Sequence, residues 1–559
     1  MQVLGSLLPV TALCRSDRLR IVRPTSSTKT IAEREGCSLL TAAVLESRGG
    51  QEGLSAFSCP SIPSLLDGLD LGRGSMEAAL RWKKIPDLGR VLVYGDYDVD
   101  GVASTTLAME ICRSKAQQVR FFIPHRHEQG YGLHESVMDQ LLPMGWDTLV
   151  VVDCGSKDHE ILEKAAAAGI NVFVFDHHQP EEGKDFHGTV VNPHGTGGCS
   201  FGKALCATGV LWAWAWKFDI LPRRLMEGMT DLAALATLAD CMPLNPLNRE
   251  LVREGIALMK SRPRSGLARL FSRLGLTSQA LSEESLTMKV IPCLNAAGRM
   301  DLADTAVGVL HGRSGAEQKV ETLLSLNKKR QVLSGRISGE AEELLSGSFS
   351  HVALGESWPV GVLSGVASRL CSMKSLPVVL AAPVRGGIRG TLRVPEGGDA
   401  MKVLDPISSL LDAWGGHQYA AGFSVARDNW PDVSKYLEET LSSMELEEPP
   451  VTALEISPDE IALDSWKEVS ALGPFGNGNP APLFFVARTG GEKMLPLGKD
   501  GRHLQIETGG ARLLAFDGKS AMDAMTSSGG WVYRPRLDYW QGRERLQYVV
   551  DYVVVDDIT

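Results

Sequence analysis

Between residues 90 and 192 the chain alternates short, nearly continuous apolar runs with stretches of helical period. The runs Arg90–Tyr94, Val119–Ile123, Thr148–Asp153 and Asn171–Phe175 predict strands, and Val102–Cys112 and His159–Ala168 predict helices between them. Strands that are apolar on both faces and separated by helices predict a parallel sheet covered on both sides. Such a sheet gathers its ligands at the carboxyl ends of its strands. Farther on, Ala204–Trp216 (ALCATGVLWAWAW) is too short to span a bilayer and predicts a buried helix. The polar stretch Gly315–Leu345 predicts a long helix connecting two lobes, and RHLQIETGG, RLLAFDG and LQYVVDYVVV alternate as half-exposed strands do. The opening MQVLGSLLPVTALC lacks a basic lead and a small-residue cleavage site, and reads as an irregular leader.

A length of 559 residues predicts about three or four domains. Hydrophobic and charged fractions of 44% and 22% are those of an ordinary soluble globular protein. The net charge of -10 does not announce a polyanion partner, although a local basic groove can sit inside an acidic protein. Ten cysteines are scattered without a C-x-x-C pair, which argues against a disulfide framework and against a cysteine zinc site. A reducing, cytoplasmic location is expected, with no membrane partner.

The predicted strand ends carry the chemistry. The first runs into GDYDVDG, with Asp96, Asp98 and Asp100; the third ends at Asp153; the fourth ends in Asp176, His177 and His178. The helical-looking LAALATLADCMPL delivers Asp240 just before a proline. Each alone has an ordinary structural explanation: a turn, an N-cap, a solvated helix end. Like charges so close repel one another unless a cation sits among them, and the coincidence recurs at equivalent places. Oxygen ligands with one imidazole and no thiolate favour Mn²⁺ or Mg²⁺ over zinc. Several carboxylates suggest two ions, a common arrangement for phosphoester hydrolysis. A G-x-x-x-x-G-K-[ST] loop, an H-E-x-x-H pair and a G-x-S-x-G elbow are all missing from the sequence.

YGDYDVDG, VVDCG, DHH and LADCMPL match, in order and spacing, the motifs of the DHH phosphoesterases. IPHRHEQGYGL, VNPH, CLNAAGRMD, GVASRL, GGHQYAAGF and GPFGNGNPAPLF resemble those of one branch, the RecJ single-strand-specific exonucleases. The resemblance implies an α/β fold. A leader and entry segment (1–85) precedes a parallel-sheet DHH catalytic domain (86–313) and a connecting helix (314–347). An α/β DHH-associated domain (348–430) comes next, and a linker, SSMELEEPPVT, then leads to an OB-like β-barrel (450–559). Carried over residue by residue, Asp96, Asp98, Asp153, His177 and Asp240 match metal ligands, with Asp153 bridging and Asp100 a neighbour. His178 matches a group touching the scissile phosphate. Arg126, Arg299, Arg369, Thr391, Arg393 and His417 match substrate-binding positions. The family's Trp-His and GSGRS patterns are replaced by Trp358-Pro359 and Gly390-Thr391-Leu392-Arg393-Val394, both in the second domain.

What the resemblance implies is a 5′→3′ exonuclease releasing nucleoside monophosphates from single-stranded DNA in repair and recombination, with two Mn²⁺ or Mg²⁺ ions activating water. A cleft between two lobes would exclude duplexes. The chain would act as a monomer, with a single-strand-binding protein and a helicase as candidate partners. The segment WVYRPRLDYWQGRER interleaves Trp531, Tyr533, Tyr539 and Trp540 with Arg534, Arg536, Arg543 and Arg545, a composition suited to base stacking and phosphate tracking. Removing everything after about Glu447 would then weaken strand binding more than cleavage. The alternatives are a DHH phosphodiesterase for short oligonucleotides or cyclic dinucleotides, and a non-catalytic replication scaffold.

Overall fold

The computed structural model describes residues 11–49, 61–126, 130–180, 189–195, 197–312, 315–346, 350–446, 450–498, 501–508, 510–521, 525, 529–540 and 543–555. The chain divides into two compact units, one formed by residues 54–328 with 470–481, the other by residues 1–53, 329–469 and 482–559.

The first unit is built on a five-stranded, all-parallel sheet in the order Ala116–Phe122, Gly89–Tyr94, Thr148–Val152, Asn171–Phe175, Thr189–Val191. Its three central strands are apolar on both faces because both are covered. Val91, Val93, Val150, Val152, Phe173 and Phe175 enter one core with the buried helix Ala207–Lys217. Leu92, Tyr94, Leu149, Val151, Val172 and Val174 enter the other with Met138 and Leu162. The period-two split of side chains between the faces is what a pleated strand requires.

Three details depart from the sequence reading. The second strand begins at Ala116 rather than Val119, and Thr189–Val191 adds an edge strand too short to stand out as a pattern. The helix after GDYDVDG begins at Val99, not Val102, because Asp98 caps it: its carboxylate accepts the Gly101 N–H at 3.0 Å.

In the second unit a five-stranded sheet runs Ala413–His417, Ala420–Val425, Gly387–Arg393, Val378–Val384, Val352–Leu354. Its core takes in Val433, Leu437 and Leu441 of the helix Trp430–Ser442, so this core continues past residue 430. A nine-stranded sheet follows, centred on the hairpin Gly530–Trp540/Arg543–Val555. Among the described residues its strand ladder is an open path rather than a closed ring. The stretch read as an irregular leader ends as a strand. Ala12–Arg15 pairs in parallel with Arg543–Val555, and Leu19–Val22 pairs in parallel with Val451–Glu455. Pairing with strands more than 400 residues away leaves no local trace in sequence.

The predicted connecting helix is present as Ala316–Leu344, 29 residues whose numbers fall on both sides of the division at 328/329. Among the described residues no helix is long and apolar enough to cross a membrane. Part of the expected linker, residues 447–449, lies outside the described residues.

Candidate metal centre

The acidic loop leaves the strand Gly89–Tyr94 through glycines that tolerate nothing larger. A Cβ on Gly95 would fall 1.9 Å from Thr105 Oγ1, and one on Gly101 would fall 2.4 Å from the Asp96 carbonyl oxygen. That tight winding buries Asp96 and Asp100 while Asp98 caps the helix. Asp100 is claimed from the far side: its carboxylate accepts the Ala207 N–H at 2.7 Å, the Thr208 N–H at 2.9 Å and the Thr208 hydroxyl at 2.6 Å. These donors sit at the positive end of the helix Ala207–Lys217, where a carboxylate is stabilised.

Asp153 ends the next strand with φ 62°, a left-handed conformation uncommon for a residue with a side chain. Such strain concentrates where function dictates a side chain's direction. Asp240 caps the C-terminus of the helix Thr230–Ala239, and Cys241 after it is also left-handed at φ 52°. His177 stands among these acids, its Nε2 lying 3.5 Å from Asp153 Oδ1, 3.5 Å from Asp240 Oδ2 and 3.8 Å from Asp100 Oδ2. Donor atoms of Asp96, Asp98 and Asp153, of Asp100, His177 and Asp240, and of Asp153, His177 and His178 form three groups, each within 4.8 Å.

The protein's own hydrogen bonds do not compensate this charge. Asp96 Oδ1 is buried without a hydrogen-bond partner among the described residues. Burial, then the neighbouring Asp98, pushes the Asp96 carboxyl well up. Burial, then Asp100 and Asp98, does the same to Asp153 and pushes Asp240 up to about 8. Burial lowers the pKa of His177, against the pull of Asp100, which favours a neutral imidazole with a lone pair to give. Buried oxygen donors, one neutral imidazole and an orphaned carboxylate oxygen fit hard divalent cations such as Mn²⁺ or Mg²⁺. Asp100, expected as a neighbour of the ligands, lies in the cluster with His177 and Asp240.

His178 is prepared differently. Its Nδ1 lies 2.8 Å from Asp176 Oδ1 and 2.9 Å from Tyr131 Oη. Burial, the largest single influence, disfavours its charge, but the bond to Asp176 and the negative charges of Asp176, Asp240 and Asp100 together outweigh it and raise the ring's pKa to about 9. Asp176 is buried yet accepts the N–H groups of Ser156 (3.0 Å), His177 (2.8 Å) and His178 (3.2 Å). The His178 ring and these bonds overcome burial and hold the Asp176 carboxyl far below the usual range. Asn192 donates to the His178 carbonyl (2.8 Å) and to Ser156 Oγ (2.7 Å). Tyr131 and Asn192 were not singled out from sequence, and Asp176, named at its strand end, was given no role there. The available signal was their place inside DHH, QGYGL and VNPH.

Two basic residues border the acidic loop. The Arg126 guanidinium lies over the Tyr97 ring, 4.7 Å from its centroid. A Cβ on Gly298 would fall 2.2 Å from the Tyr97 carbonyl oxygen, so the helix Ile291–Met300, which carries Arg299, packs directly on this loop. Residues 127–129 of the same motif as Arg126 lie outside the described residues.

The remaining expected residues gather separately, within the second unit. Arg393 Nε donates to Ser368 Oγ (2.9 Å) and its Nη1 to Thr391 Oγ1 (3.0 Å). Arg393 pairs with Ala420, which pairs with His417, so all three lie at one level of the sheet. Directly opposed residues of antiparallel strands share a face. Arg369, beside Ser368 on the helix Val360–Lys374, turns instead to Asp517 at 3.3 Å.

The expected stacking stripe on the C-terminal hairpin is overturned for two of its four aromatics. Trp531 and Tyr533 are fully buried, and the Tyr533 hydroxyl donates to the Ile456 carbonyl at 2.7 Å. Arg534 forms a two-point pair with Asp551, and Arg545 pairs with Asp538. Strand alternation sends every second residue inward, and here it takes Trp531 and Tyr533 into the core. The side chain of Trp540 lies outside the described residues.

Comparison with known proteins places this geometry. The model of the DHH family, N-terminal domain, matches residues 90–237, that of the DHHA1 domain residues 346–443, and that of the RecJ OB domain residues 452–552. The single-stranded-DNA-specific exonuclease RecJ of Escherichia coli is 30% identical over 512 residues, covering 83% of this chain and 87% of the relative. That of Bacillus subtilis is 29% identical over 506 residues, which are 88% of this chain but 64% of the relative, so the chain spans less than two thirds of that protein's length. The crystal structure of RecJ from Thermus thermophilus in complex with Mn²⁺ superposes with a TM-score of 0.78 at 26% identity, covering 96% of this chain and 79% of that one.

Proposed function

The chain belongs to the RecJ family, and from that premise we propose that it is a metal-dependent exonuclease that degrades single-stranded DNA from the 5′ end to nucleoside 5′-monophosphates. The observation that carries the reading is the convergence of Asp100, Asp153 and Asp240 on His177, and of Asp96 and Asp98 on Asp153, with buried carboxylate charge set beside like charge. In this reading Asp96, Asp98, Asp153, His177 and Asp240 hold two Mn²⁺ or Mg²⁺ ions. Bound there, such ions lower the pKa of a coordinated water and neutralise charge on the leaving oxygen.

The protein's own groups do the rest. Asp100, anchored by Ala207 and Thr208, orients His177 and adds negative charge without being free to turn. His178, kept charged by Asp176, offers a cation to the phosphate under attack. Arg126 and Arg299 supply further positive charge beside the acidic loop. The metal-holding groups do not distinguish the two directions of a strand, so polarity is assigned to other residues. Arg393, braced by Ser368 and Thr391 and level with His417, is suited to a terminal 5′-phosphate, whose extra charge a guanidinium meets with two bonds.

The test uses DNA strands labelled at one end or the other, with and without Mn²⁺. Mononucleotides should be released first from the 5′ end, only with metal and only from single strands. Release from the 3′ end first, or cleavage in a chelator, would overturn the reading. Arg393→Ala should erase the preference for 5′-phosphorylated over 5′-hydroxyl ends, and an unchanged rate ratio would place end recognition elsewhere.

A further inference from the structure

The segment GPFGNGNP lies inside the stretch matched by the OB domain model, 452–552. It does not fold with the rest of that stretch. Residues 470–481 belong to the unit that carries the metal centre. Their contacts are polar and specific. Arg253 on the helix Pro246–Ser261 donates to the Gly473 carbonyl at 2.9 Å, and the Phe475 N–H donates to Glu283 Oε1 at 3.0 Å. Asn479, buried, donates to the carbonyls of Leu472 (3.0 Å) and Pro474 (2.9 Å) and sets the loop's own curvature.

Asn477, at the tip, holds the turn that follows Asp240. Its side-chain amide donates to the Cys241 carbonyl at 3.0 Å, and its own carbonyl accepts the Leu244 N–H at 2.7 Å. Gly478, left-handed at φ 75°, would bring a Cβ within 3.5 Å of the Leu244 nitrogen, so the tip lies flat on residues 243–244. The turn it grips needs holding. Cys241 occupies the left-handed region without being glycine, a strained conformation that persists only where its surroundings enforce it. The direction of the Asp240 carboxylate depends on that backbone, one peptide away.

We propose that Asn477 is a positioning residue: it locks the Asp240–Leu244 turn so that the Asp240 carboxylate stays aimed at His177 and at the cation they share. The proposal rests on the metal-dependent reading above. It makes the metal centre a product of two distant stretches of chain, with the final brace supplied from residues matched by the nucleic-acid-binding module.

The test measures Mn²⁺ binding to the full chain by titration calorimetry, without DNA. Asn477 is exposed, so Asn477→Ala should leave the unfolding midpoint unchanged while weakening Mn²⁺ binding about tenfold, the scale of a lost supporting partner. Arg253→Gln, which frees the loop's other anchor, should shift binding the same way by less. In an Asp240→Asn background, Asn477→Ala should weaken binding no further, because the brace acts only through Asp240. Unchanged affinity in Asn477→Ala, or an equal loss with and without the Asp240 carboxylate, overturns the positioning role while leaving the metal centre intact. A wild-type chain that binds no Mn²⁺ overturns both.

Discussion

The strand ends of the parallel sheet and the hairpin Gly530–Val555 both crowd charged side chains together, and the protein treats the two crowds in opposite ways. On the hairpin acids meet bases: Asp551 pairs with Arg534, Asp538 with Arg545, and Glu544 with Lys467 of the helix Leu463–Ser470. At the strand ends acid is set beside acid, and among the described residues Asp96 Oδ1 is buried without a partner while the His178 ring pairs with Asp176. Folding has no reason to collect buried like charges, since desolvation and repulsion both oppose it. A crowd that neutralises itself is architecture. One that does not is waiting for something from outside the chain, and that imbalance separates the two regions better than the density of charge does.

The largest effect should come from breaking the uncompensated crowd. Asp153→Ala and His177→Ala should each lower nuclease activity at saturating Mn²⁺ by at least about a thousandfold, near 4 kcal/mol of barrier. A variant that kept more than about a tenth would be inconsistent with a ligand role. Next, Mn²⁺ should raise the unfolding midpoint, since at a hundred times its dissociation constant a ligand contributes about 2.7 kcal/mol to the folded state. Asp153→Ala should lose that response. Arg534→Ala, measured by denaturant unfolding, should cost about 1–2 kcal/mol: Asp551 is left nearly buried without its cation, although the third of Arg534 that faces water discounts the figure. Arg545→Ala, at an exposed pair, should change stability by less than about 0.5 kcal/mol. If Arg545→Ala proved as costly as Arg534→Ala, burial would not be what distinguishes the hairpin's pairs.

Much of the centre was legible in the chain alone. Apolar runs each ending in an acid or histidine fix a parallel sheet and the end of it where chemistry gathers, because strand alternation and the acidic motifs are local properties. GDYDVDG, VVDCG, DHH and LADCMPL therefore named their residues without coordinates. What pattern could not supply was the partner of each polar group. Asp176 as the brace of His178, Ala207 and Thr208 as the anchors of Asp100, and the retreat of Trp531 and Tyr533 into the core all depend on which distant surface packs against which. The same holds for residues 12–15 and 19–22, which complete a sheet built from the other end of the chain. It holds most for residues 470–481. By position they belong to the C-terminal domain, and a truncation after residue 446 reads from sequence as a loss of grip on DNA. The tertiary structure places them in the unit with the metal centre instead, with Asn477 bonded to the turn after Asp240. Local pattern determines which residues can do chemistry; only long-range packing decides what holds them in place, because the hydrogen bonds that do so join residues hundreds of positions apart.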